Sequence, residues 1–195
     1  MRIDAHQHFW KYNPQRDSWI TNDMQMLQAD FLPYHLLPLL QQAQIDGCVA
    51  VQADQSEEET HFLLRLAEET DFIKGVVGWV DLQSSAVEET LHYYSQLKKL
   101  KGFRHIVQAE PDDNFMLYPA FMKGISLLQP FNFTYDILIY PRQLQASEKL
   151  VGAFPYQKFM VDHLAKPSIK NGELNSWERD ITRLPQHPNG ICKVS

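Results

Sequence analysis

Apolar residues gather into seven short blocks rich in β-branched and aromatic side chains. They cover residues 3–9, 48–53, 73–80, 102–108, 131–139, 159–163 and 191–194. Their length and composition predict strands. Helix-like stretches lie between most of them. Leu36, Leu37, Leu39, Leu40 and Ala43 form a wide apolar face at helical spacing. Ser56-Glu57-Glu58-Glu59 predicts a capping box, opening a helix with Phe62, Leu63, Leu66 and Ala67 on one face. Ser85-Ala86-Val87-Glu88 repeats that signature before Leu91, Tyr94 and Leu97. Residues 119–128, 142–153 and 177–184 each have room for a short helix. The stretch from Lys11 to Asp30 carries Asn13-Pro14 and Thr21-Asn22-Asp23, which predict a long loop.

Strand and helix in alternation predict a parallel sheet with helical crossovers. No shift of composition marks a linker and no repeat is visible, so residues 1–195 read as one domain. A nucleotide-binding doubly wound sheet would carry a glycine-rich turn after its first strand. His6-Gln7-His8-Phe9-Trp10 stands there instead, which favours a barrel. Barrel chemistry gathers at the C-terminal ends of the strands. The unusual polar residues comply: His6 and His8, Gln52 and Asp54, Asp81, then Arg104, His105 and Gln108, and finally Asp162, His163 and Lys166.

Side chains alternate across a strand, so Asp4, His6 and His8 share one face, with the two imidazoles about 7 Å apart along it. That pair suits two ligands on one metal or two donors aimed at one substrate oxygen. The plainer alternative is a pair of surface histidines. His163 joins them as a candidate by its strand-end position. Arg104 lies in an apolar run and must find a carboxylate, Asp4 or Asp81, or reach solvent at the rim. Lys166 reads either as a donor to substrate or as a solvated loop end. His105 faces the opposite side from Arg104, under a helix. Asp162 alternates away from His163, which favours a cap or backbone-bonding role. Trp10, Tyr12, Trp19 and Tyr140 read as loop aromatics.

Composition narrows the setting. The chain of 195 residues carries a formal net charge of -6, which argues against nucleic acid and anionic membrane as partners. No apolar run reaches the roughly 20 residues of a membrane helix, and no signal peptide is visible at the N-terminus. Cys48 and Cys192 are too few for a disulfide framework, so the cytoplasm is the expected compartment.

Four segments carry a resemblance. Asp4-Ala5-His6-Gln7-His8-Phe9-Trp10, Gly102-Phe103-Arg104-His105, Val161-Asp162-His163-Leu164-Ala165-Lys166-Pro167 and Cys192-Lys193-Val194-Ser195, in this order, resemble the amidohydrolase 2 family. More narrowly they are similar to its sugar-lactonase branch, the L-fuconolactonase-like proteins related to the 2-pyrone-4,6-dicarboxylate lactonases. The resemblance implies an α/β fold, a (β/α)8 TIM barrel of the metal-dependent hydrolase type, and hydrolysis of a sugar-acid lactone by water attack on its carbonyl. It implies catalytic roles for His6, His8 and His163, which would also be the ligands of one divalent, zinc-like ion in members that use a metal; other members need none. It implies that Arg104 and Lys166 bind the substrate, a small-molecule lactone. Homo-oligomers are compatible with it. Members of this kind carry an aspartate on an eighth strand, and none follows Cys192-Lys193-Val194-Ser195. The expectation is a barrel cut after its seventh strand, without that base. Two alternatives remain open: an amide hydrolase or decarboxylase of the same superfamily, or an inactive fragment.

Overall fold

The computed structural model describes residues 1–194; Ser195, the last residue of the fourth segment, lies outside the described residues. All seven apolar blocks contain strands: β1 (Ile3–Gln7), β2 (Gly47–Val51), β3 (Ile73–Gly78), β4 (Leu100–His105), β5 (Thr134–Ile137), β6 (Phe159–Val161) and β7 (Gly190–Cys192). The connecting helices are α1 (Pro33–Gln42), α2 (Glu57–Glu69), α3 (Val87–Ser95), α4 (Pro119–Ser126), α5 (Leu144–Ala153) and α6 (Asn175–Ile181). The chain divides into two compact units, Met1–Gly78 and Trp79–Ser195.

In the first unit β1, β2 and β3 pair in parallel. The β1–β2 register shifts between Asp4 and Gln7, at the point where the histidines begin. Buried Cys48, Ala50, Val51, Ile73, Val76 and Val77 make a sheet that is apolar on both faces, as crossover topology requires. Ser56 caps α2: its Oγ accepts from the Glu59 amide at 3.2 Å. The predicted apolar face turns slightly, so that Thr60, Leu63, Leu64 and Ala67 are the residues it buries. On α1 the expected face is narrower than its sequence. Leu40 is buried, whereas Leu37 and Leu39 are exposed. Pro33 occupies the first turn, where its missing N–H costs nothing. The predicted long loop contains a 3-10 segment over Asn22–Leu27 and is closed at its ends. The amide of Trp10 donates to the Phe31 carbonyl at 3.0 Å, and that of Phe31 to the Trp10 carbonyl at 2.9 Å.

In the second unit β4 to β7 pair in parallel and in order. One row across the sheet is aromatic: Phe103 lies opposite Tyr135, and Tyr135 opposite Phe159. It packs against Tyr94 of α3 and Phe121 of α4. The neighbouring row sets Arg104 opposite Asp136, and strand alternation turns both to the other face. The second predicted capping box does not form. The N-cap of α3 is Ala86, and the Ser84 hydroxyl accepts from the Ala86 amide at 3.2 Å. A serine two residues before the cap ties the turn down before the helix begins, and no side chain caps the helix itself.

Candidate active site

In the first unit His6 is the penultimate residue of β1 and His8 lies just beyond its end. Because the strand stops at Gln7, alternation no longer holds the two imidazoles a full repeat apart. Their Nε2 atoms approach to 3.2 Å, and the rings meet edge to face. His8 Nδ1 lies 2.8 Å from the Val51 carbonyl. A carbonyl can only accept, so Nδ1 carries the proton and the lone pair of His8 rests on Nε2. Asp4 stiffens the same strand end. One carboxylate oxygen accepts from the His6 amide at 3.0 Å and the other from the Gln7 side chain at 2.9 Å.

This donor set fits a divalent ion. Two imidazole nitrogens at about 2.0–2.1 Å from a tetrahedral zinc stand about 3.3 Å from each other. The observed 3.2 Å meets that spacing. A metal-bound histidine ordinarily donates its other N–H to a carbonyl or carboxylate, as His8 does to Val51.

Sequence reasoning gave Glu59 only a capping role. Glu59 is buried, and its two carboxylate oxygens accept the amides of Ala53 and Asp54, closing the loop between β2 and α2. The signal was its place three residues after Ser56; the partner it would choose was not legible. Burial pushes this carboxyl up to about 7, while the two amides pull it down. Since the unfolded group titrates near 4.5, the folded chain holds the extra proton between about 4.5 and 7. Stability therefore falls as pH rises through that window. Urea unfolding at about pH 5 and pH 8 should show a loss on the order of 1–3 kcal/mol from this group. Glu59→Gln should flatten that part of the slope, and an identical slope in the variant would refute the assignment.

The second unit holds the remaining candidates. Arg104, 3% exposed, donates through Nη1 to Asp162 Oδ2 at 3.0 Å. Lys193 Nζ is 3.0 Å from Asp162 Oδ1 and also pairs with Asp136. Two cations and two anions thus alternate from β4 and β5 to the residues just after β6 and β7. The partner of Arg104 is Asp162, and neither Asp4 nor Asp81. Asp162 correspondingly holds an ion pair in place of the expected cap. Burial raises the Asp136 carboxyl, with Lys193 opposing. His105 packs as expected beneath the helical layer. It stacks on Phe115, lies near Phe121 of α4, and its Nε2 lies 2.7 Å from Glu110.

His163 follows Asp162 in an unusual turn. His163, Leu164, Ala165 and Lys166 all have left-handed φ values, of 53°, 50°, 57° and 51°. Each such non-glycine residue costs roughly 1–2 kcal/mol, so the surroundings must hold the turn. Lys166, at its end, donates to Gln108 Oε1 at 2.6 Å and stands 5.5 Å from the centre of the Tyr140 ring. Burial pulls its ammonium below the usual lysine range, with Arg104 adding to the shift. Trp10 packs on Phe31 and Tyr140 faces Lys166, while Tyr140 at 42% and Trp19 at 56% are both exposed loop aromatics.

Comparisons with known proteins converge. Residues 3–195 match the family described as Amidohydrolase. The chain is 34% identical over 194 residues to an L-fucono-1,5-lactonase of Burkholderia ambifaria, covering 100% of this chain and 67% of that one. It is 34% identical over 201 residues to the L-fucono-1,5-lactonase of Burkholderia multivorans, covering 100% and 68%. A crystal structure of an amidohydrolase from Burkholderia multivorans with bound zinc superposes with a TM-score of 0.95 at 34% identity, over 100% of this chain and 69% of the other. The chain therefore spans about two thirds of the length of these relatives.

Proposed function

The chain belongs to the amidohydrolase 2 family, and on that premise we propose that it serves the hydrolysis of a sugar-acid lactone of the L-fucono-1,5-lactone kind. The observation that carries the reading is 34% identity along the whole chain to two lactonases. The barrel fold is common to many chemistries and would not by itself distinguish a lactonase from an amidase or a decarboxylase.

His6 and His8 would hold a divalent ion, with His163 the further ligand that the family resemblance implies. The matched Nε2 spacing of the first pair supports this, as does zinc in the crystal of the Burkholderia multivorans relative. Zinc, when bound, would supply Lewis-acid polarisation of the lactone carbonyl. The chain's own residues do the rest. The Val51 carbonyl keeps the His8 lone pair on Nε2, and Asp4 fixes the strand end from which His6 projects. Lys166 offers an N–H to a hydroxyl or carboxylate oxygen of the sugar acid, and Gln108 with Tyr140 aims it. Arg104, paired with Asp162 in a network of two cations and two anions, would serve substrate binding by fixing the strand ends that carry Asp162 and Lys193.

Proton release on ring opening is the direct test. Zinc-loaded protein should open L-fucono-1,5-lactone at least about 100-fold faster, in kcat/KM, than it cleaves an acyclic ester or amide of the same acid. A preference for the amide, or carbon dioxide release from an aromatic acid in place of ring opening, would overturn the reading.

A further inference from the structure

We infer that Trp177 of α6 is the positioning residue that sets the handedness of the turn carrying His163. The proposal rests on the role proposed for His163 above. A left-handed run of four residues without a glycine cannot be a local preference, because L-residues favour the opposite hand. Something outside the run must select it. The two peptide groups that follow His163 show what does.

Leu164 is held at both ends of its backbone. Its amide donates to the Lys193 carbonyl, just past β7, at 3.2 Å. Its carbonyl accepts the indole N–H of Trp177 at 2.7 Å. A third bond, from the Lys166 amide to the His163 carbonyl at 2.8 Å, closes the turn on itself. The Lys193 and Trp177 bonds hold the Leu164 peptide on both sides in the left-handed arrangement. Rotating the Leu164 peptide into the right-handed region would swing its carbonyl away from α6 and leave the half-buried indole N–H without its acceptor. Ala165, the next residue, is fully buried, and its methyl side chain offers no hydrogen bond to brace the turn.

The consequence reaches the candidate site through geometry. His163 and Lys166 are the first and last residues of the run. If the turn relaxes, the imidazole and the ammonium are re-aimed together. Trp177 bonds the Leu164 carbonyl that lies between them, so it acts through the backbone. Loss of such outer support around a metal ligand typically weakens metal binding by 10–100-fold.

Trp177→Phe keeps an aromatic side chain and removes the donor. The expected result is faster amide hydrogen exchange at Lys166, by at least about 10-fold, and zinc affinity lowered by about 10-fold in competition with a chromophoric chelator. Adding Ala165→Gly lets the left-handed turn form without a brace. The double variant should recover both readouts, which a purely packing role for Trp177 would not allow. Unchanged exchange at Lys166 in Trp177→Phe, or no recovery in the double variant, would overturn the inference. His163→Ala separates the two claims. If it leaves zinc affinity unchanged, the ligand role fails, and the exchange rate at Lys166 alone decides whether Trp177 sets the turn.

Discussion

Asp162→Ala is expected to cost about 3–5 kcal/mol of stability, the largest loss from any single substitution considered. The carboxylate accepts from Arg104 on one oxygen and faces Lys193 on the other. Arg104 is 3% exposed and Lys193 9%, so neither cation can turn to water when its partner goes. One carboxylate, Asp136, would then face two buried positive charges. The change corresponds to a factor of roughly 10²–10⁴ in the unfolding equilibrium. Urea unfolding followed by tryptophan fluorescence measures it. Asp162→Asn keeps the shape and one acceptor, and should lose less. A loss below about 1 kcal/mol for the alanine variant would mean that the network contributes no more than a surface pair.

His8→Ala should have the largest effect on chemistry. It removes one of two nitrogens that stand at metal-ligand spacing, and with it the bond to the Val51 carbonyl. Zinc affinity should fall by more than the 10–100-fold that loss of an outer partner costs. Lactone ring opening should drop by at least about 10²-fold, the scale set by losing one stabilising group at a developing oxyanion. His8 is half-buried and stands outside the strand, so the far-UV circular dichroism should stay unchanged. Unaltered zinc affinity together with unaltered hydrolysis would remove His8 from the site. His6→Ala should behave similarly, and the double variant should add little, because both act on one ion.

The sequence carried the strands well because burial on two faces writes an unbroken apolar run, and each of the seven runs holds one. Strand ends were less legible. Each run continues past its last paired residue onto the rim, and side-chain alternation fails there. For that reason the two imidazoles meet at 3.2 Å where alternation alone placed them about 7 Å apart. The charge network was hidden for a different reason. Asp162 and Lys193 are far apart in sequence, and nothing local says that two adjacent strand ends will exchange charges. The turn after His163 was the least legible feature. Left-handed backbone is normally announced by glycine or asparagine, and His163-Leu164-Ala165-Lys166 offers neither. Glu59 shows the limit of a correct motif. Ser56 caps the helix as read, but the fourth residue of the box spends its carboxylate on the preceding loop.

The closed neck of the long loop has a bearing on how this scaffold can change over evolutionary time. Trp10 and Phe31 exchange two backbone bonds and pack their rings 4.5 Å apart, and Asp30 accepts the Tyr12 amide at 2.9 Å. The neck is therefore secured by residues at its own base, and most of the interior of the loop is not needed to close it. Doubling the length of a flexible loop costs only about 0.6 kcal/mol once its ends are joined. Insertions, deletions and new side chains over the largely exposed stretch 21–26 can thus be sampled at little cost to folding, while buried Asp17 and Ile20 stay as anchors and the histidine pair upstream is left alone. New substrate preferences can arise in that segment without first dismantling the chemistry, and an insertion library confined to it should retain a high share of folded members.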